Sequence, residues 1–141
     1  MNATLITAIA AIVTTLALAA VIGVLHNRRQ GVLRDTGDSA ADVDTSDLGL
    51  SHTGPTIVHF GAVWCGRCAG VRRVVHQVCG DLPQVAHVEI DMDANPAAAR
   101  RLSVLSLPTT FIFDAGGRQR FRTSGVPKVT DLRSALEPLL A

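Results

Sequence analysis

The chain has 141 residues, with 13 Lys and Arg against 12 Asp and Glu, five His and three Cys. That length fits one modest domain, the net charge of +1 leaves no basic footprint for nucleic acid, and three cysteines are too few for a disulfide framework. Lys128 stands alone against twelve arginines, which together with the many alanines reads as GC-rich coding bias and carries no chemistry.

Ala3 to Leu25 runs for 23 residues without a charge. As a helix it would extend roughly 35 Å, more than the roughly 30 Å of a bilayer's hydrocarbon core. A cleaved signal peptide competes, with Ala17 to Ala19 resembling a cleavage site. However, no Lys or Arg precedes the run, and it is longer than the usual apolar region of about 7 to 15 residues. Residues 1–27 therefore read as a retained anchor that meets the lipid bilayer through Ala3 to Leu25. Arg28, Arg29 and Arg34 follow the span, so the positive-inside rule favours the cytoplasmic face of the cell membrane for the rest of the chain. Ala19 and Gly23 are spaced as small residues are where helices pair.

Residues 28–54 carry Asp35, Asp38, Asp42, Asp44 and Asp47 among Gly, Ser and Thr. Such a stretch buries too little apolar surface to offset its ordering entropy and reads as a flexible acidic linker. Its last dozen residues, with Leu48 and Leu50, have the apolar content for a short lead-in element. From residue 55 to 141 the pattern is globular. Thr56–Gly61 predicts a buried strand, and Cys68–Val78 a helix whose Val71, Val74, Val75 and Val78 form one apolar face, ended by Gly80 and Pro83. Val85–Asp91 predicts a second strand, and Asn95–Leu102 a short helix capped by Asn95 with Pro96 at its first position. Thr109–Phe113 is a third strand, and a turn at Ala115–Gly117 leads to a polar fourth, Gln119–Thr123. A helix from Lys128 to Leu139 closes the chain. Arg118, Arg120 and Arg122 alternate on what this order makes an edge strand, where charge discourages edge-to-edge pairing. The order βαβαββα predicts a mixed sheet with helices on both faces.

"WCGRC", Trp64 to Cys68, carries the chemistry. Where a CxxC pair opens a helix, unpaired N–H groups and the macrodipole favour the thiolate of Cys65. Cys68, one turn on, can attack a mixed disulfide formed at Cys65, so the pair can pass two electrons. A zinc site is the rival reading, because Cys65, Cys68, His76 and Cys79 make a Cys₃His set. Against it, one helix would have to gather ligands spread over roughly 20 Å. Cys79 otherwise reads as a small buried hydrophobe, and His76 and His87 as surface or packing residues.

"FGAVWCGRC", followed about forty residues later by "LPTTFIFDAGG", resembles the thioredoxin family, and the similarity extends from Thr56 to Leu140. The resemblance implies an α/β thioredoxin-like fold preceded here by the N-terminal helix, and a protein-disulfide oxidoreductase activity. It implies that Cys65 is the exposed nucleophile and Cys68 the resolving thiol. It further implies a cis peptide at Leu107–Pro108, which the following proline makes chemically reasonable. Substrate backbone would pair just before Pro108, Trp64, Gly66 and Arg67 would flank the site, and Gly125 would let a partner chain approach. No cofactor or metal is implied, since the cysteines are the redox groups. The implied partners are protein disulfides or dithiols and a reductase or oxidase that recycles the pair.

The chain also departs from the family pattern. Gly66-Arg67 stands between the cysteines in place of Gly-Pro, and Arg67 should stabilise a nearby thiolate and push the couple toward oxidising character. Potentials within the superfamily span roughly 150 mV, or about 7 kcal/mol. Where the family places a buried carboxylate paired with a lysine, this chain has His59 and Glu89. A neutral His59, oriented by Glu89, is the expected acceptor of the Cys68 proton; the bland alternative is a hydrogen-bonded core histidine. Arg73 replaces a helix-kinking proline, and the strand and helix that usually precede Thr56 have only the linker's tail to form them. The sequence thus predicts a membrane-tethered thiol–disulfide oxidoreductase. Its alternatives are an extracytoplasmic oxidoreductase of envelope or cytochrome maturation and a tethered binding module with a structural disulfide.

Overall fold

A computed structural model describes residues 2–37 and 43–141; Asp38 and Asp42 of the expected tether lie outside the described residues. The chain divides into two units, residues 1–30 and 31–141. The first is a single helix, α1 (Ala3–Arg28), of 26 residues with none buried. Its length and composition suffice to cross a membrane. The hydroxyls of Thr7, Thr14 and Thr15 each donate to a carbonyl three or four residues back, so three of the four threonines within the apolar run satisfy their hydroxyls on their own helix.

The second unit is built on a five-stranded sheet of order β1-β5-β4-β2-β3: β1 (Arg34–Asp35), β2 (Thr56–Gly61), β3 (Ala86–Asp91), β4 (Thr109–Phe113) and β5 (Gln119–Ser124). β2 pairs parallel with β3 and antiparallel with β4, and β5 antiparallel with β4 and β1. Every residue of β2 and β4 is buried, as their near-continuous apolar runs require of central strands. Alternation then sorts the side chains between two cores. Val58, Phe60, Phe111 and Phe113 pack on one face with Ala98, Ala99 and Leu102 of the α3 region (helix α3, Pro96–Arg101). Ile57 and Ile112 pack on the other with Val71, Val75 and Val78 of α2 (Cys68–Asp81) and Leu132 and Leu136 of α4 (Val129–Leu136). A 3₁₀ turn, Glu137–Leu139, follows α4. The mixed sheet covered by helices on both faces is the architecture the element order predicted.

Three details differ from the sequence reading. Residues 31–37 lie against the domain, although the linker composition suggested a free tether there, and residues 43–54 supply the lead-in element for which Leu48 and Leu50 gave the apolar content. β1 pairs with β5, and Leu48, 2 % exposed, fills the first core beside Phe60 and Phe113, while Asp47 ion-pairs with Arg101. Leu48, with Val43 and Leu50 beside it, and a few backbone bonds supply the burial that average composition concealed. Second, β5 is not a bare edge, because β1 covers part of it. Its arginines work internally: Arg122 donates to the carbonyls of Leu102 and Ser103 at the end of α3, and Arg118 and Arg120 pair with Asp114. Third, Asn95 makes no side-chain cap on α3; its amide donates instead to the carbonyl of Asp91.

If residues 43–54 belong to the folded unit, Leu48→Ala should destabilise it by about 3 kcal/mol, as for other buried leucines, whereas a tether residue would be neutral. Urea unfolding of the detergent-solubilised chain, followed by Trp64 fluorescence, measures the difference.

Candidate active site

β2 ends at Gly61 and delivers a short turn to the start of α2. In this turn the Cys65 N–H donates to the Ala62 carbonyl (3.1 Å) and the Cys68 N–H to the Cys65 carbonyl (3.3 Å). Cys65 and Cys68 form a disulfide with Cα atoms 5.5 Å apart. Helix α2 begins at Cys68 with Arg67 as its cap residue, so Cys65 sits one turn before the helix. The field of the helix N-terminus therefore reaches it from outside the first turn, where it has begun to fall off. Cys68 is 1 % exposed and Cys65 is partly exposed, which leaves one sulfur of the bond available to a partner molecule.

Exposed apolar side chains flank the disulfide in its turn, and others stand on the loops at Pro108 and Gly125. Val63, Trp64, Leu105 and Val126 are all exposed, as are Gly66 and Arg67. Trp64 is held by its indole N–H, which donates to Asp93 Oδ2 at 2.8 Å. The Leu107–Pro108 peptide is cis. Gly125, at φ +91°, donates its N–H to the Pro108 carbonyl at 2.9 Å. The next residue, Val126, lies over Gly70 of α2: a Cβ built on that glycine would be 3.2 Å from a Val126 methyl. The loop of Ser124–Val126 thus joins the Pro108 turn to the first turn of the helix that carries Cys68.

Beneath the disulfide lies a polar group that the sequence identified only in part. His59 on β2 and His87 and Glu89 on β3 share the face covered by α2, because His59 pairs with Glu89 and Ile57 with His87 in parallel register. His59 is fully buried. Its Nδ1 lies 2.9 Å from His87 Nε2, the two rings stack with centroids 5.1 Å apart, and the exposed His76 stands edge-on to His87. His59 Nε2 faces Glu89 Oε1 at 3.5 Å and has no hydrogen-bond partner among the described residues. Glu89 is instead gripped by Arg72, whose Nε and Nη2 donate at 2.6 to 2.9 Å. His87 packs on His59, stacked against it and within hydrogen-bonding distance, and Arg72 takes the orienting bond expected between His59 and Glu89. The strand period of two placed His87 beside Glu89, a signal that identifies it once the register is known; nothing in the sequence singled out Arg72 or Asp93.

The charges follow from these contacts. Burial pushes His59 down to about 4 against the pull of Glu89, so the ring is neutral at physiological pH. Burial likewise lowers His87, and the Arg72 hydrogen bond lowers Glu89. Gly61 stands between the carboxylate and the buried sulfur: a Cβ there would lie 3.4 Å from Cys68 Sγ and 3.6 Å from Glu89 Oε1. A cleft of about 330 Å³ lined by Gly61, Ala62, Val63, Arg72, Glu89 and Asp91 opens beside it. The four sequence-candidate zinc ligands are not gathered. Cys65 and Cys68 are bonded to each other, His76 lies against His87, and the half-buried Cys79 has its thiol pKa raised by burial.

A histidine kept neutral in the folded state and free to charge in the unfolded state makes stability fall as pH drops through the window from 6.5 to about 4. The loss attributable to His59 is about 3 kcal/mol when the window is fully crossed, and His87 acts in the same direction. Urea unfolding at stepped pH should show this slope, and His59→Gln should flatten it, leaving the carboxylate-driven loss at lower pH.

Residues 44–138 match the family model described as Thioredoxin. The chain is 41% identical over 70 residues to a thioredoxin of Mycolicibacterium smegmatis, a match covering 48% of this chain and 62% of that protein. It is 38% identical over 87 residues to a thioredoxin of Synechocystis sp., covering 61% of this chain and 80% of the relative. The structure of thioredoxin from Trypanosoma brucei brucei superposes with a TM-score of 0.56 at 29% identity, over 64% of this chain and 78% of that one. These matches, with a helix-opening cysteine pair and a cis proline in the expected element order, place the chain in the thioredoxin family of thiol–disulfide oxidoreductases.

Proposed function

We propose that the chain is a membrane-anchored oxidoreductase of protein disulfides, held by Ala3–Leu25 with its redox domain on the cytoplasmic face. The observation that carries the chemistry is the Cys65–Cys68 bond, one sulfur at the surface and the other buried. In the reducing direction the Cys65 thiolate attacks one sulfur of a client disulfide, and the other client sulfur leaves as a thiolate that takes up a proton. Cys68 then gives up its proton and attacks Cys65 Sγ. The mixed disulfide breaks, the second client thiol is released, and two electrons have passed to the client as the Cys65–Cys68 bond forms. A reductase returns the electrons; in the opposite direction an oxidase removes them. Backbone on the Leu107 side of the cis proline, with Gly125 beside it, offers the client an extended pairing site, and Val63, Trp64, Leu105 and Val126 supply an apolar rim suited to a protein surface. Anchoring confines the search to the bilayer plane, so the clients are proteins at or near the membrane.

His59 is the group we assign as acceptor of the Cys68 proton, with Glu89 favouring the imidazolium. Burial limits this role. A ring with a pKa of about 4 takes a proton from a thiol only uphill, so its contribution falls at or below the low end of the roughly 10²- to 10⁴-fold typical of positioned general bases.

In insulin reduction driven by dithiothreitol, Cys65→Ser should abolish activity, and Cys68→Ser should accumulate a mixed disulfide visible on non-reducing gels. A couple with a potential below about −300 mV would instead mark a structural bond. His59→Ala should slow resolution of the mixed disulfide by less than about 100-fold; resolution at the wild-type rate would return His59 to a packing role. A reporter fused after Ala141 should read out as cytoplasmic, and periplasmic activity would select the extracytoplasmic alternative.

A further inference from the structure

The segment that enters the folded unit does not join it at a neutral place. Gly31, the first residue of that unit, donates its N–H to the Ser124 carbonyl at 2.6 Å. It is buried and lies at φ +81°, and a Cβ added to it would come within 2.3 Å of the Val126 carbonyl oxygen. A glycine is needed here twice over, for its left-handed backbone and for the closeness of the approach. Past Gly31 the chain continues along β5: Arg34 and Asp35 pair with Arg122 and Phe121, the Thr36 N–H donates to the Arg120 carbonyl at 2.9 Å, and Thr36 Oγ1 donates to the Gln119 carbonyl at 3.1 Å.

Ser124, Gly125 and Val126 are the residues that connect the Pro108 turn to α2. They are fixed on the sheet side by pairing of Ser124 with Thr109 and by the Gly125–Pro108 hydrogen bond, and on the helix side by Val126 over Gly70. The third side is Gly31. We propose that residues 31–36 are a strap that positions the client-reading rim, with Gly31 as the positioning residue: it sets where Gly125 and Val126 stand relative to Pro108 without touching the cysteines. The inference rests on the oxidoreductase reading above. Its signature is a loss in recognition of extended protein clients, which need the rim, with the chemistry of the disulfide itself unchanged.

The test uses the full chain in detergent micelles and two substrates: insulin, which must lie on the rim, reduced in turnover with dithiothreitol, and the small disulfide 5,5′-dithiobis(2-nitrobenzoate), which needs only an accessible Cys65, in a single turnover with chain that has been reduced and then freed of dithiothreitol. Gly31→Ala should raise KM for insulin about 5- to 10-fold with kcat within 2-fold, and leave the rate with the small disulfide and the redox potential unchanged. Thr36→Val keeps the side chain's shape but loses its donor to Gln119, and should raise the insulin KM by about 2-fold. If Gly31→Ala does not fold, Thr36→Val decides alone. An insulin KM unchanged in the variants, or a parallel fall with both substrates, overturns the strap. A wild-type chain inert toward both substrates would remove the oxidoreductase reading and the strap with it, an outcome distinct from a wild type that works and variants that match it.

Discussion

A strand with protein on both faces has no solvated side on which to place a charge, and β2 is such a strand over its whole length. Two cores meet on it, and the turn it feeds carries the cysteines, so the direction of Cys65 and the depth of Cys68 are set by how Val58, Phe60 and Ile57 pack. The same constraint decides the protonation of the site. A carboxylate or an ammonium in the place of His59 would need a buried counter-charge to survive there. An imidazole needs only to remain neutral, and its stacked neighbour His87 gives it a hydrogen bond without adding charge. The actual charge pair has been displaced outward, to Arg72 and Glu89, where both groups are partly solvated. The site therefore keeps a neutral interior beneath the disulfide and a salt bridge at its lip.

Much of this was legible in the chain. The uninterrupted apolar strands, the valine face of α2, the Gly and Pro breakers and the CxxC turn are local signals, and local signals survive in a single sequence. What was missed is relational. That Arg72 reaches Glu89 depends on which way the first turn of α2 faces β3, and that His87 meets His59 depends on parallel register, which hydrophobic alternation suggests but does not number. The linker shows a different failure. Its composition is that of a solvated tether, and composition averages over residues; Leu48 and Leu50 did mark the lead-in end, but the backbone pairing of β1 depends on single positions. Backbone hydrogen bonds in particular leave no trace in side-chain chemistry, apart from the occasional glycine whose neighbours come too close for a methyl.

The apolar N-terminal helix and the redox domain obey different physics. In α1 threonine hydroxyls turn back onto their own helix, which suits a medium with no water to share. In the second unit long polar side chains reach across the fold, from Arg101 to Asp47, from Arg133 to Asp81 and from Arg122 to the end of α3, near the surface. Such pairs contribute little individually in water; their use is to pin connections whose apolar content is thin. The lead-in segment is the clearest case: buried Leu48, with Val43 and Leu50 packed against the same core, and one ion pair hold a stretch made mostly of Gly, Ser, Thr and Asp.

Gly31 has a practical corollary for anyone preparing this protein. A boundary drawn where family similarity begins, at residue 44, would yield a water-soluble fragment containing both cysteines, both cores and the proline turn, and lacking the stretch that lies along β5. Such a fragment would register as a competent thiol catalyst in colorimetric assays and as a poor one toward extended protein clients, and the discrepancy would be blamed on the missing lipid. Cutting after Gln30 instead preserves the Gly31–Ser124 contact and separates the two causes.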